Sequence, residues 1–270
     1  MGIVKRPVYV TKSGVKRPVY VTKSGVNRPV YVNFVEKRCL NTYDTVGYAG
    51  MTAGTDLIDW NAPGASNQQR ILSVWWRVSA GVSAASNLRM FGNDRMGIRR
   101  DVFGSIIGGV STEIDFFNGC SIANFAAGSW HHFLICYKCG DSKVRGYTDG
   151  AFQSEFTVSG TTTHSPNFVV NGNLDQGMHY GPSGLWKPSS DLSDAQLASL
   201  ASALYNSGKG LFYSQMSGSS FQLAHLTNFW DMDEISDGTT DVTREDKAGS
   251  DDLTNLSATY YCPHANDFPG

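Results

Sequence analysis

The chain has 270 residues, 41% hydrophobic, 12% aromatic and only 17% charged, with 29 glycines and a formal net charge of −2. That length suits one large domain with an appendage or two small ones, and many turn formers with few charges fit a β-rich chain. No apolar stretch reaches the length of a membrane span and no hydrophobic signal region opens the chain, so manufacture in a cytoplasm, without a membrane partner, is expected.

The first element is a repeat. "RPVYVTKSGVKRPVYVTKSGVNRPVYV", from Arg6 to Val32, gives nearly the same eleven residues twice and begins a third copy. Pro7, Pro18 and Pro29 together with the Val-Tyr-Val runs exclude a helix, because proline removes a donor and the β-branched residues favour extended backbone. Each unit reads as a short strand, Pro-Val-Tyr-Val-Thr, followed by a Lys-Ser-Gly turn. Side chains alternate along a strand, so an odd repeat sets Tyr9 and Tyr20 on opposite faces unless Gly14 and Gly25 reset the register. Fully extended, the stretch reaches roughly 90 Å. Its charge is one-sided: Lys5, Arg6, Lys12, Lys16, Arg17, Lys23 and Arg28 meet no acid before Glu36, while the rest of the chain holds all 24 acidic residues.

Three uses fit such an arm. A disordered linker needs only length and flexibility, which near-identical repetition exceeds. A nucleic-acid arm has the charge but lacks arginine clusters, so no nucleic-acid partner is expected. The third use is assembly, in which short strands lie on equivalent surfaces of neighbouring subunits, most simply in a homo-oligomer. The expected contacts are then Val8, Tyr9 and Val10, Val19, Tyr20 and Val21, and Val30, Tyr31 and Val32.

From Ile71 onward, short strands follow closely: 71–78, 104–110, 113–117, 130–137 and 143–147, punctuated by Gly, Asn, Asp and Ser. That pattern predicts an antiparallel sandwich. One helix stands out after Ser193, which can cap it with Gln196; Leu197, Leu200, Ala201 and Leu204 make its apolar stripe, and Gly208 beyond Asn206 stops it. Of Cys39, Cys120, Cys136, Cys139 and Cys262, only Cys136 and Cys139 have the spacing of half a zinc site. No second pair completes it, the odd count argues against a disulfide framework, and structural cysteines are expected.

"GSWHHFLICYKCGDSKVRGYTDG", Gly128 to Gly150, resembles the laminin-G-like, concanavalin A-like jelly-roll family, which is marked by a Trp-His-His strand, a hairpin and a strand ending in Tyr-x-Asp-Gly. "LWKPSSDLSDAQLASLASALYNSGKG", Leu185 to Gly210, is similar to that family's closing strand and helix. A third stretch, "NFWDMDEISDGTTDVTREDKAGSDDLTNLS", Asn228 to Ser257, resembles the piece that flanks these domains in phage-type proteins and often supplies a first strand. The resemblance implies an all-β jelly-roll sandwich with one short helix, preceded by the extended arm. The implied organisation is an arm at 1–32, a sandwich at 33–225, and a segment at 226–270 that packs on a sandwich. Trp230 and Met232 alternate with Phe229 and Asp231, and the first pair needs an apolar surface.

Four groups of residues are candidates for chemistry. His131 and His132 point to opposite faces of a central strand with no marked nucleophile nearby, which favours structural histidines. The family 16 glycoside hydrolases share the fold and carry two glutamates around an aspartate on one strand; here Glu113 and Asp115 are followed by Phe117 and Asn118, so the proton donor is missing. No catalytic residue and no enzymatic activity are therefore expected. Calcium is bound near a rim in related sandwiches, and Asp141, Asp149 and Asp175 are the candidates here; the run from Asp231 through Asp233, Glu234, Asp237 and Asp241 lacks the pattern of a calcium loop and reads as solvated turns. No cofactor is expected, with Ca²⁺ the one ion to test. Trp186, Tyr180 and His179 could stack on a sugar ring if exposed, although Trp186 matches a core position of the family.

The resulting expectation is a non-enzymatic structural protein of a phage or virus particle, with the arm fastened to neighbouring subunits and the sandwich displayed on the virion surface. The alternative is a carbohydrate-binding adhesin or receptor-binding module, and the third reading is a glycoside hydrolase.

Overall fold

The computed structural model describes residues 3–7, 9–12, 15–18, 20–23, 26–29, 31–35, 39–41, 51–54, 57–58, 69–78, 88–93, 96–100, 105–110, 118–124, 128–138, 140–158, 168–170, 178–233, 243–255, 264–265 and 268. Two units form, Met1–Lys37 and Arg38–Gly270.

In the first unit the strands are β1 (Ile3–Pro7), β2 (Tyr9–Lys12), β3 (Val15–Pro18), β4 (Tyr20–Lys23), β5 (Val26–Pro29) and β6 (Tyr31–Val35). They do not run out in one extended line. β2 pairs with β3, β4 with β5, and β1 returns to β6, all antiparallel. The Pro and the Tyr of each repeat pair in different ladders, so the Pro-Val-Tyr-Val-Thr stretch expected as one strand is divided between two. Val8, Val19 and Val30 lie outside the described residues.

The second unit begins with β7 (Cys39–Asn41), β8 (Met51–Thr52), β9 (Gln69–Val78), β10 (Leu88–Gly92), β11 (Met96–Arg100), β12 (Ser105–Val110) and β13 (Asn118–Asn124). It continues with β14 (His131–Lys138), β15 (Lys143–Thr148), β16 (Ala151–Thr157), β17 (Val169–Val170), β18 (Met178–Trp186), α1 (Asp194–Tyr205), β19 (Leu226–Trp230), β20 (Thr254–Asn255) and β21 (His264–Ala265). One sheet runs β13-β12-β11-β10-β17-β8-β20; the other runs β16-β15-β14-β9-β18-β7-β21, with β19 also on β18. Two antiparallel sheets facing each other make the expected jelly-roll sandwich.

The apolar runs of β9 and β14 are nearly continuous because the larger sheet is covered on both faces. Leu72, Val74, Trp76, Phe133, Ile135 and Tyr137 point inward, where they join Phe91, Ile98 and Val170 of the opposite sheet and Phe168 just before β17. Ile71, Leu134 and Cys136 point outward and pack with Leu197, Leu200, Ala201 and Leu204 of α1. Ser193 and Gln196 form the capping box at the start of that helix. The helix ends before the expected Gly208, because Asn206 takes the left-handed C-cap conformation at φ 49°. Asparagine tolerates that conformation better than most side chains.

β18 has β9 along one side, while β7 and β19 share the other. β19 therefore brings the C-terminal segment into the larger sheet of the same chain. Trp230 and Met232 are fully buried in the core between the sheets, Phe229 packs in the outer layer with Trp186, and β20 extends the smaller sheet beside β8. Among the described residues no helix is long and apolar enough to cross a membrane.

Candidate functional site

Pairing of β18 with β9 sets His179 opposite Arg77, and pairing of β9 with β14 sets His131 opposite Trp76, so the next row places Trp130 beside Arg77. Alternation along β9 sends Trp75 and Arg77 to the face opposite Trp76, the face that α1 covers farther along. At this end of the sheet the row lies beyond the helix. Arg77 Nη2 donates to His179 Nε2 at 3.2 Å, and the guanidinium lies 5.7 Å from the centre of the Trp130 ring. Arginine can only donate, so His179 Nε2 is the acceptor. Trp130 and Arg77 are half-buried, while His179 is buried.

A ring from the C-terminal segment holds this row from behind. Phe268 stands edge-on to Trp130 at 5.0 Å, to Trp75 at 5.4 Å and to Phe212 at 5.8 Å. It lies directly on the backbone of Gly181, where a Cβ would come within 2.5 Å of the ring. Such packing fixes the indole of Trp130 before any ligand arrives, which lowers the entropic cost of binding. A half-exposed indole beside a planar, five-donor cation suits a ring with an apolar face and polar edges.

The sequence-derived candidates are placed otherwise. Trp186 and Tyr180 are both 0% exposed, so neither offers a stacking surface. Trp186 donates its indole N–H to the Gln222 carbonyl at 2.9 Å, and Tyr180 faces the core between the sheets. They are buried because β18 is an interior strand with β9 on one side and β7 and β19 on the other. Only His179 of that trio reaches the rim. In the sequence Arg77 carries no mark and Trp130 is only a family mark; the signal that joins them is the strand order, which neither residue's neighbours in sequence reveal.

His132 is fully buried, with Nε2 2.8 Å from Ser73 Oγ and, among the described residues, no hydrogen-bond partner for Nδ1. Burial lowers its pKa to about 3, against the weaker upward pull of Asp149. Asp149 does not complete a relay to this ring. It binds His131 Nδ1 at 2.8 Å and accepts the backbone N–H of His132 at 2.9 Å. Burial would raise the Asp149 carboxyl, but the hydrogen bonds from His131 and His132 hold it below its ordinary value. Cys136 is buried and free, and burial pushes its thiol well up, the behaviour of an inert core residue.

Two of the three carboxylates proposed for Ca²⁺ have other work. Asp141 accepts from Arg145 at 3.0 Å and from the Lys143 backbone at 3.1 Å, and Asp149 is held as above. Asp231 is buried and accepts the Tyr213 N–H at 2.7 Å, so this first member of the run is not part of a solvated turn. Among the described residues no three His, Cys, Asp or Glu side chains are grouped to hold a metal ion. Glu113, Asp115, Phe117, Cys139, Asp175, Glu234, Asp237, Asp241 and Cys262 lie outside the described residues.

No protein-family model matches the chain, and no curated protein matches it. Solved structures do. One described as "a putative carbohydrate binding protein from Bacteroides ovatus" aligns with a TM-score of 0.55 at 11% identity, over 93% of this chain and 66% of that one. A native heptameric SAP-like pentraxin from Limulus polyphemus gives 0.42 at 9% identity, over 62% and 82% of the two chains. The binding domain of botulinum neurotoxin serotype D gives 0.40 at 11%, over 77% and 57%. At 11% identity the likeness to the first of these is one of fold alone, an antiparallel jelly-roll sandwich.

Proposed function

We propose that the sandwich is a carbohydrate-binding module of adhesin or receptor-binding type, without a catalytic role. The row of His179, Arg77 and Trp130 carries this reading, since it combines a half-buried indole with fixed donors at one end of the sheet. The fold likeness to the Bacteroides ovatus protein supports it. The guanidinium would donate to hydroxyl or carboxylate oxygens of a sugar, and the indole would cover the C–H face of the ring. The test is a glycan array probed with the full chain, followed by Trp130→Ala and Arg77→Gln. Each substitution should weaken binding by at least about tenfold, or about 1.4 kcal/mol. An array without a single bound glycan, or binding that survives both substitutions, would defeat the reading.

A second reading, a structural subunit displayed on a virus or phage particle, rests on the repeated basic stretch. The two are compatible if the stretch attaches the module and the sandwich recognises a surface. Hydrolysis of a bound glycan that is lost in Glu113→Gln would replace both with the glycosidase reading.

A further inference from the structure

The three ladders of the first unit obey one register rule. Tyr9 pairs with Pro18, Tyr20 with Pro29, and Tyr31 with Pro7. The second half of each repeat thus takes the first half of the next repeat, and the third takes the first, so the pairing is cyclic. Residues 4–14 and 15–25 are identical in sequence, and 28–32 repeat 6–10. Nothing in the backbone pattern therefore distinguishes one first half from another, and register specified this weakly permits alternate pairing and domain swapping.

The ladders differ in how far they reach along the chain. In two of them only two residues separate the innermost partners, Lys12 from Val15 and Lys23 from Val26. The ladder of β1 and β6 instead joins Ile3–Pro7 to Tyr31–Val35 and carries the largest loop-closure entropy. Its composition is also its own. Where the two hairpins set Lys12 and Lys23 against a valine, this seam sets Phe34 against Val4, and it adds the pair of Val35 and Ile3. The third repeat departs from the others here, with Phe34-Val35 replacing Lys-Ser ahead of the turn. It is suited to receive a first half, not to start another hairpin.

We propose that this seam joins copies of the chain: the first strand of one copy pairs with the sixth strand of another, in a closed exchange. The partner is a second copy of this chain, because its Ile3–Pro7 strand matches the seam residue for residue while two-stranded ladders leave open edges. The seven cations of Lys5, Arg6, Lys12, Lys16, Arg17, Lys23 and Arg28 repel between copies, so association strengthens as salt screens them. Each oligomer then presents several sandwiches at once, which multiplies a weak surface affinity. This inference stands independently of the glycan reading.

The test uses two full-length variants of opposite charge. The first carries Ile3→Lys and Val35→Lys, so its own seam is repelled; the second carries Ile3→Glu and Val35→Glu. Light scattering and native mass spectrometry should find the wild type oligomeric, more so at higher salt, and each variant alone at least about tenfold weaker in self-association. An equimolar mixture should give mixed oligomers holding both variants. The melting transition of the sandwich, measured in parallel, shows that the body is intact in each variant. A wild type that stays monomeric at all concentrations and salts overturns the proposal. So do variants that associate alone as the wild type does, or a mixture that forms no mixed species.

Discussion

Replacing Trp230 with alanine measures how far the C-terminal segment belongs to the sandwich. The indole is 0% exposed, stacks on Phe168 at 5.4 Å, meets Phe91 edge-on at 6.2 Å, and donates to the Asp251 carbonyl at 3.1 Å. Truncation removes its transfer free energy and leaves a cavity between the sheets, about 3–5 kcal/mol for a buried Trp→Ala change. Unpairing the Asp251 carbonyl adds about 1 kcal/mol. The sum is a large part of the ~5–15 kcal/mol that stabilises an ordinary domain. For a body of this size it lowers the melting point by roughly 10–20 °C. Calorimetry of the full chain gives the shift, with Phe152→Ala as reference, since Phe152 is 54% exposed on an edge strand and its loss should change stability by less than about 1 kcal/mol. A Trp230→Ala chain that melts within about 2 °C of wild type would refute the packing argument, as would proteolytic release of the segment from a sandwich of unchanged stability.

Two further outcomes follow from buried polar groups. His132 stays neutral in the folded protein down to about pH 3, whereas the unfolded chain takes up that proton near the ordinary value of 6.5. Its contribution is therefore full above pH 6.5 and falls as pH drops toward 3. Between pH 6.5 and 5 the loss is about 2 kcal/mol, and urea midpoints across that range should fall more steeply in the wild type than in His132→Gln; parallel profiles would contradict the assignment. Asp246 accepts from the backbone N–H groups of Phe229, Ala248, Gly249 and Asp251 and from the Asn228 side chain. Asp246→Ala should cost about 3 kcal/mol or more in denaturant stability, and a loss below about 1 kcal/mol would mean that these donors find other partners.

Legibility in the sequence followed the range of the interactions. α1 could be read because its cap, Ser193 with Gln196, and its stripe are local, and the same four apolar residues are the buried ones. β9 and β14 could be read because sheet burial on both faces writes an apolar run into the chain itself. β18 was harder. Gly181, Pro182 and Gly184 interrupt it and imitate a loop, yet the register shifts by one residue between Tyr180 and Ser183 and the strand continues. Bulges admit proline, and Gly184 is needed because a Cβ there would come within 2.6 Å of the Phe229 ring from β19. That reason lies 45 positions away in the chain and leaves no local periodicity. The rim had the same difficulty, since Arg77, Trp130 and His179 become neighbours only through the order β14-β9-β18.

In the described part of the C-terminal segment, aspartates answer backbone donors. A calcium loop turns its oxygens toward one point, where the cation replaces water. Among the described residues three carboxylates turn toward backbone donors instead: Asp231 to Tyr213, Asp252 to Asp246, and Asp246 to four successive or facing N–H groups. Irregular chain laid over a sheet has no ladder to satisfy its N–H groups, and burying them unpaired would be costly. Aspartate answers several donors from one short side chain, so this stretch can stay close to the sheet and deliver Trp230 and Leu253 to the core. Asp231, Asp246 and Asp252 thus supply the acceptors that let Trp230 and Leu253 be buried beside irregular chain.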